Sequence, residues 1–343
     1  MPIDSIHNDG YSYDYRPYSI PLKSPLNSHH GVWLRREGIY IRLENERGQV
    51  GFGEIAPLPW FGSESIEAAL GFCQGLPRHI TAATIQSISD DLPACQFGFG
   101  TAWEAIAHIP YAITLPLNTL NICGLLPAGK DVLTAWQALW QEGYRTFKWK
   151  IGVHDHALEK DLFHTLIAEL PTRARLRLDA NGGLTQETAR DWLATLDGIR
   201  PPDLIEFLEQ PLPPQAIDEL MALAHDYHTP IALDEAIASV RQLWMWHHRG
   251  WPGIYVLKPG ILGFPERLRQ FCQYYRQESK LVFSSVLEGA IARTAIFHLI
   301  QGLELESKLA LGFGIDPWRS VPLLTHLTDY EKLWHGSHQS YER

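Results

Sequence analysis

Short apolar runs, each closed by a charged residue, repeat along the middle of the chain. Phe147-Lys-Trp-Lys150, Leu176-Arg-Leu-Asp179, Leu204-Ile-Glu-Phe-Leu-Glu209, Ile231-Ala-Leu-Asp234 and Ile254-Tyr-Val-Leu-Lys258 end at intervals of 29, 30, 25 and 24 residues. Runs this short and apolar read as strands buried on both faces. Between them, Glu187-Thr-Ala-Arg-Asp-Trp-Leu-Ala194 and Ala216-Ile-Asp-Glu-Leu-Met-Ala222 carry apolar positions at helical spacing. A strand–helix beat of this length, with polar chemistry at the C-terminal end of each strand, predicts a (β/α) barrel whose site lies at that rim.

The beat extends in both directions. Leu117–Cys123 is expected as the first barrel strand and Asp131–Glu142 as its helix; Leu281–Ser285 and Lys308–Phe313 are expected as strands seven and eight. The first hundred residues follow another pattern. Gly38–Leu43 and Val50–Ile55 flank the polar turn Glu44-Asn-Glu-Arg-Gly48, which signals an antiparallel hairpin. Pro57-Leu-Pro-Trp-Phe-Gly62 reads as a rigid loop, Ser63 as the N-cap of a helix with Glu64 and Glu67 in its first turn, and Thr101–His108 as a further helix. The fold class is therefore α/β: a (β/α)7β-type barrel over residues 106–315, with an N-terminal α+β capping domain over 1–105. Residues 316–343 are too few for another unit and are expected to return to the capping domain and complete it.

Composition narrows the function classes. A chain of 343 residues suits one barrel plus a smaller domain, and 45% hydrophobic with 20% charged residues is ordinary for a globular enzyme. Lys and Arg total 29 against 39 acids, a net charge of -10 that repels polyanions. The best candidate for a basic stripe, Arg173, Arg175 and Arg177, alternates within a strand beside an acid and is too short for nucleic acid. Cys73, Cys95, Cys123 and Cys272 show no CxxC pairing and are expected as free buried thiols in a reducing cytoplasm. The N-terminus lacks the basic and apolar regions of a signal peptide, and no apolar stretch approaches the roughly 20 residues of a membrane span.

Asp179, Glu209 and Asp234 end three consecutive strands, which neighbour one another at about 4.8 Å. Any one of them alone reads as a loop acid or helix cap, and Asp179-Ala-Asn-Gly-Gly183 looks like a turn. Three in succession would repel unless a cation sat between them, and an all-oxygen set favours a hard ion such as Mg2+. Lys150 and Lys258 end strands two and six, four apart in a ring of eight, so they face each other across the mouth. Strand alternation puts Lys148 on the same face as Lys150, and Arg177 on the same face as Asp179. A nearby cation and Lys148 both disfavour protonated Lys150, suiting it to act as a base. A lysine base with a metal fits removal of a proton α to a carboxylate, the cation meeting the enediolate charge. Arg177 either adds positive charge there or pairs with a strand acid.

Weaker signals remain. Ser285-Val-Leu-Glu288 fits a capping box, whose helix N-terminus could also hold a substrate carboxylate. Gly312-Phe-Gly314 lacks the third glycine of a dinucleotide fingerprint because Pro317 stands there. The pairs His29-His30 and His247-His248 lack metal spacing and read as loop residues, and no Gly-x-Ser-x-Gly elbow occurs.

The chain resembles the enolase superfamily, in its muconate-lactonizing branch, along nearly its whole length. The resemblance rests on Lys148-Trp-Lys150, Asp179-Ala-Asn181, Glu209-Gln-Pro211, Asp234-Glu235 and Lys258-Pro259. Sites of that superfamily use a lysine or histidine base with Mg2+. Gly53-Glu-Ile-Ala-Pro-Leu-Pro59, Ser284-Ser-Val-Leu-Glu288-Gly and the direct Lys258-Pro259 step are similar to the o-succinylbenzoate synthases of menaquinone and phylloquinone biosynthesis. The resemblance implies syn-dehydration of 2-succinyl-6-hydroxy-2,4-cyclohexadiene-1-carboxylate to 2-succinylbenzoate. It implies Lys150 as base and then acid, Lys258 as stabiliser of the opposite face, and Asp179, Glu209 and Asp234 as Mg2+ ligands. Lys148, Arg177, Asn181, Glu235, Ser284, Ser285 and Gly312 take binding or supporting places, and Ser24–Gly31 and Ala56–Gly62 become loops over the succinyl end. Phe264 departs from the glycine many relatives carry. The nearest alternative is an N-acylamino acid racemase or dipeptide epimerase using the same five residues; a non-catalytic scaffold is the more distant one. The expected partner is a small carboxylate, with no nucleic acid, membrane or obligate protein partner.

Overall fold

The structure, a computed structural model, describes residues 10–28, 31–108, 121–275, 280–304, 309–314 and 323–336. Leu117, His29, His30, Lys308 and Pro317 lie outside them.

The N-terminal part is a four-stranded sheet with helices on one side. Strands β1 (Gly10–Ser28), β2 (Gly31–Asn45) and β3 (Val50–Ile55) are followed by α1 (Ile66–Gly75), β4 (His79–Thr81), α2 (Ala82–Gln86) and α3 (Pro93–His108). The sheet order is β3-β2-β1-β4, and the hairpin β2–β3 turns at the polar segment that signalled it. Ser24–Gly31 was expected as a loop, but pairing runs on to Ser28↔Gly31 after a register shift between Pro21 and Leu26. Pro21 and Pro25 lack N–H groups, so the ladder breaks there and then resumes.

Two helix starts differ from the expectations. Ser65, not Ser63, caps α1 by accepting from Ala68 N, while Ser63 Oγ accepts from Leu58 N. Glu64 lies outside that first turn: it is buried and its two oxygens accept from Ala94 N and Cys95 N, which caps α3 from a distance. That cap starts α3 eight residues before Thr101, in a stretch where Gly98 and Gly100 blur the helical period.

The barrel follows in regular alternation: β5 (Ile122–Leu126), α4 (Val132–Gln141), β6 (Thr146–Lys150), α5 (His156–Glu169), β7 (Arg175–Asp179), α6 (Gln186–Asp197), β8 (Ile205–Glu209), α7 (Ile217–Asp226), β9 (Ile231–Leu233), α8 (Val240–His248) and β10 (Ile254–Leu257). The short α9 (Pro259–Leu262) and α10 (Pro265–Tyr275) lead to β11 (Leu281–Phe283), α11 (Ala290–Gly302) and β12 (Leu311–Gly314). The eight strands are parallel in the order β11-β10-β9-β8-β7-β6-β5-β12, and a parallel bridge between Ser284 and Gly312 closes the ring. The first and eighth strands start later than the sequence suggested. His247 and His248 lie in the last turn of α8 rather than in a loop, with the His248 ring stacked on Trp244.

Alternation along each strand sorts two cores. Phe147 and Trp149 point outward into the helix layer, where Trp192 meets Trp149 and Phe163 edge to face. Phe207, Ala232, Ile254, Val256 and Val282 fill the barrel interior. Helix α12 (Leu327–Gly336) packs Tyr330 and Trp334 against Phe52 of the N-terminal sheet, and Arg16 lies 4.2 Å from the Trp334 ring centroid. All four cysteines are free and buried. Among the described residues no helix is long and apolar enough to cross a membrane.

Candidate active site

Register brings the polar strand ends together. Lys150 pairs with Asp179 and Asp179 with Glu209, while Glu209 stands level with Ala232, two residues before Asp234. Ile254 pairs with Ala232, so Val256 is level with Asp234 and Lys258 lies two residues further on. This climb of four residues over half the ring is the stagger that a barrel with shear of about eight needs to keep opposite side chains in one layer. Lys150, Asp179, Glu209, Asp234 and Lys258 thus share the C-terminal rim.

Asp179, Glu209 and Asp234 are all buried. One layer below, Lys148 reaches up to Asp179 Oδ2 at 2.7 Å and Glu209 Oε1 at 2.9 Å. Burial opposes the charge on Lys148, but Asp179, Glu209 and Asp234 outweigh it and hold the ammonium well above its ordinary range. Burial would raise Asp179, yet Lys148 holds its carboxyl below the usual value. Burial, reinforced by Asp179, pushes Glu209 up to about 8, and burial pushes Asp234 up to about 6 against the pull of Lys258.

Lys258 is ion-paired with Asp234, and its Nζ lies 3.8 Å from the centroid of the Phe61 ring. Phe61 comes from the proline-bounded loop of the N-terminal part, whose Trp60 meets Trp33 edge to face at 4.2 Å. Lys150 is half-buried and makes no hydrogen bond or ion pair among the described residues.

The supporting residues divide. Asn181, at φ +44, donates its amide N–H to Glu235 Oε1 at 3.0 Å, and its backbone N–H donates to Asp179 Oδ1. Asn181 Oδ1 and Glu235 Oε2 are buried without a hydrogen-bond partner. Arg177 points into the barrel but pairs with Glu206 at 2.6 Å, its guanidinium over the Phe207 ring. A register shift on β8 sets both Glu206 and Phe207 opposite Arg177, so the bulge turns Glu206 toward the interior. Arg177 therefore belongs to the barrel floor and its charge is matched there. Ser284 donates to Gly312 O at 3.2 Å, and a side chain at Gly312 would collide with the Ser284 hydroxyl.

The expected capping box takes another form. Ser285 Oγ donates to Glu288 Oε2 and accepts from Leu287 N, closing a turn before the helix begins. The N-terminus of α11 is capped instead by Glu54 of β3, which accepts from Gly289 N and Ala292 N. Those N–H groups are therefore not open to a substrate carboxylate.

Sequence reasoning left Gln210 without a role. It is fully buried at φ +35; its Oε1 accepts from Asp234 N and Ala236 N, and its Nε2 donates to Leu212 O. Gln210 thereby fixes the fourth strand end against the fifth. Its place in Glu209-Gln-Pro211 was the available signal.

The donor set suits a hard divalent cation: three buried carboxylates on adjacent strands, two of them held above their ordinary range by burial. As the side chains stand, among the described residues no three acidic, histidine or cysteine groups converge on one ion, because Lys148 and Lys258 occupy carboxylate oxygens. The strand positions fit the ion; Asp234 would have to turn from Lys258 to reach it.

Comparison with known proteins shows the family and the fold. Residues 131–328 match the family described as enolase C-terminal domain-like, and residues 12–106 match the MenC N-terminal domain. The o-succinylbenzoate synthase of Thermosynechococcus vestitus is 48% identical over 322 residues, covering 94% of this chain and 98% of the relative. A crystal structure of o-succinylbenzoate synthase from Thermosynechococcus elongatus BP-1, with magnesium in its active site, superposes with a TM-score of 0.87 at 48% identity, covering 95% of this chain and 99% of that one. The L-Ala-D/L-Glu epimerase of Bacillus subtilis, at 17% identity and TM-score 0.75 over 90% of this chain and 91% of its own, shares the fold. Matched over both its parts and at 48% identity over nearly all its length, the chain belongs to the o-succinylbenzoate synthase family of the enolase superfamily.

Proposed function

We propose that the barrel mouth carries out Mg2+-dependent syn-dehydration of 2-succinyl-6-hydroxy-2,4-cyclohexadiene-1-carboxylate to 2-succinylbenzoate, a step toward menaquinone or phylloquinone. The observation that carries the division of roles is the inequality of the opposed lysines: Lys150 is half-buried and has no side-chain partner among the described residues, whereas Lys258 is buried with its Nζ against the Phe61 ring, a contact that remains when Asp234 turns to the metal.

Asp179, Glu209 and Asp234 are the groups to hold the metal, with Asn181 and Glu235 as the shell behind Asp179. When bound, Mg2+ supplies positive charge against the substrate carboxylate as the enediolate develops. Lys150 takes the α proton, and the C–H electron pair moves into the carboxylate. The C–O bond then breaks, Lys150 returns its proton to the departing hydroxyl, and water and the aromatic ring result. One lysine serving both steps requires proton and hydroxyl to leave from one face. Lys258, its Nζ seated against the Phe61 ring, faces the other side of the planar intermediate and meets the negative charge that develops there. Lys148 keeps Asp179 and Glu209 oriented, and Ser284, Ser285 and Gly312 form the wall opposite Asp179 that receives the succinyl group.

We divide the chain into capping domain (1–105), barrel (106–315) and returning segment (316–343). Four free buried thiols suit a reducing cytoplasm, and the net charge of -10 disfavours nucleic acid. A small carboxylate is the partner this site requires; neither a membrane nor an obligate protein partner is part of the proposal. Incubation with the cyclohexadiene substrate and Mg2+ should generate aromatic absorbance that chelator abolishes. Absence of aromatic product, or formation undiminished by chelator, overturns the reading.

A further inference from the structure

The loop joining β11 to α11, Ser284–Gly289, is shaped by the N-terminal sheet as much as by the barrel. Three strands of that sheet each contribute one buried side chain. Glu54 of β3 accepts from Gly289 N at 2.5 Å and Ala292 N at 3.0 Å. Tyr18 of β1 donates to Glu54 Oε1 at 2.5 Å, and Arg36 of β2 donates Nε–H to Leu287 O at 2.9 Å. A side chain at Gly289 would meet Glu54 Oε1 at 2.7 Å, so the carboxylate seats against bare backbone. Ala290 and Ile291 then pack among Tyr18, Tyr40 and Phe52.

Within this loop Leu287 holds φ at +62, a left-handed conformation that a residue with a side chain seldom adopts. Such a conformation persists when neighbours over-determine it. Here Ser285 Oγ takes the Leu287 N–H at 2.9 Å and Arg36 takes its carbonyl.

We infer that Glu54, with Arg36, is a positioning residue: it fixes the Ser284–Gly289 loop against α11 so that substrate binding depends on the N-terminal sheet. The inference rests on the reading of Ser284 and Ser285 as substrate-binding residues. Glu54 touches none of the reacting groups named above, so its loss should raise KM and leave proton transfer alone.

Glu54→Gln keeps the shape and one acceptor oxygen but sets an amide NH2 against one of the two backbone N–H groups that need an acceptor. Arg36→Met removes the bonds to Leu287 O and Glu37 O, together with a buried Nη2 that has no partner, and leaves both Glu54 contacts to the α11 backbone in place. Both should raise KM for the cyclohexadiene substrate about tenfold, with kcat within about twofold of the parent. Mg2+ affinity by calorimetry should stay unchanged. If Glu54→Gln does not fold, Arg36→Met decides. Loss in kcat equal to that in KM, a change in Mg2+ affinity, or a lowered Tm with unaltered kinetics overturns the inference. Ser285→Ala separates the two levels. Unchanged KM there overturns the loop reading and this inference with it; raised KM there, without it in the Glu54 and Arg36 variants, overturns the positioning role alone.

Discussion

The second and sixth barrel strands both end in lysine at the same rim, on opposite walls, yet the two amines live in different surroundings. Lys258 is 8% exposed, paired with Asp234 and covered by the Phe61 ring. Lys150 is half-buried and unpaired among the described residues. A base must shed and regain a proton during each turnover, which suits an amine without a fixed anion. A stabiliser of negative charge works best when it is already oriented and charged. Equivalent positions in the sequence beat therefore support unequal roles. A two-base racemase would set both amines in like surroundings, which the burial of Lys258 and the Phe61 ring over its Nζ do not provide.

Removing each lysine tests that inequality most severely. Lys150→Ala should lower kcat by about 10³-fold or more with folding intact, read by the aromatic-product assay. Lys258→Ala should cost about 10²-fold, and Lys258→Arg should recover part of it, because a fixed cation suffices on that side. Equal, unrescued losses at both positions would break the comparison, and wild-type turnover in Lys150→Ala would end the role given to that residue.

A smaller effect is expected from Phe61→Leu, which keeps apolar cover but removes the ring face from Lys258. A cation–π contact of this kind supports a drop of about fivefold in kcat. The same change should slow solvent-deuterium exchange at the α position, measured by NMR, by a similar factor, because exchange passes through the planar intermediate that Lys258 faces. An exchange rate that stays at the parent value while kcat falls would mean the lid acts only after proton abstraction.

The smallest effect concerns the acids between the lysines. In chelator-treated protein, Glu209 and Asp234 bind protons more tightly folded than unfolded. Stability should then be greatest near the ordinary carboxylate range and decline as pH rises through about 6 for Asp234 and about 8 for Glu209. Tm by calorimetry should fall by a few degrees between about pH 5 and about pH 9, and Mg2+ should offset the fall most at the alkaline end. A Tm that climbs over this range without metal would show the acid trio to be compensated already.

The rim was legible because strand alternation and the strand–helix beat are local properties that the barrel converts directly into position. Lys150, Asp179, Glu209, Asp234 and Lys258 follow from where apolar runs stop. Features set by distant partners were not legible. Glu54 reaches a helix 235 positions away in sequence, so Ser285 and Glu288 imitated a cap they do not form. Glu64 moved the start of α3 in the same manner, by accepting from Ala94 and Cys95. Arg177 was undecided between two uses because the bulge that turns Glu206 inward depends on the pairing of β7 with β8. Phe61 was visible only as part of a rigid loop, since its contact with Lys258 crosses from one part of the chain to the other.

The packing of α12 on the N-terminal sheet has a consequence for biogenesis. On the ribosome, the apolar face carrying Tyr18, Tyr40 and Phe52 emerges before the barrel, whereas Tyr330 and Trp334, which help to cover it, are synthesised after the barrel. The nascent sheet must wait through translation of the whole barrel with that face incompletely shielded, a natural point for chaperone engagement. A ribosome-bound chain whose residues 323–336 have yet to leave the exit tunnel should accordingly be stickier than one in which they have cleared it.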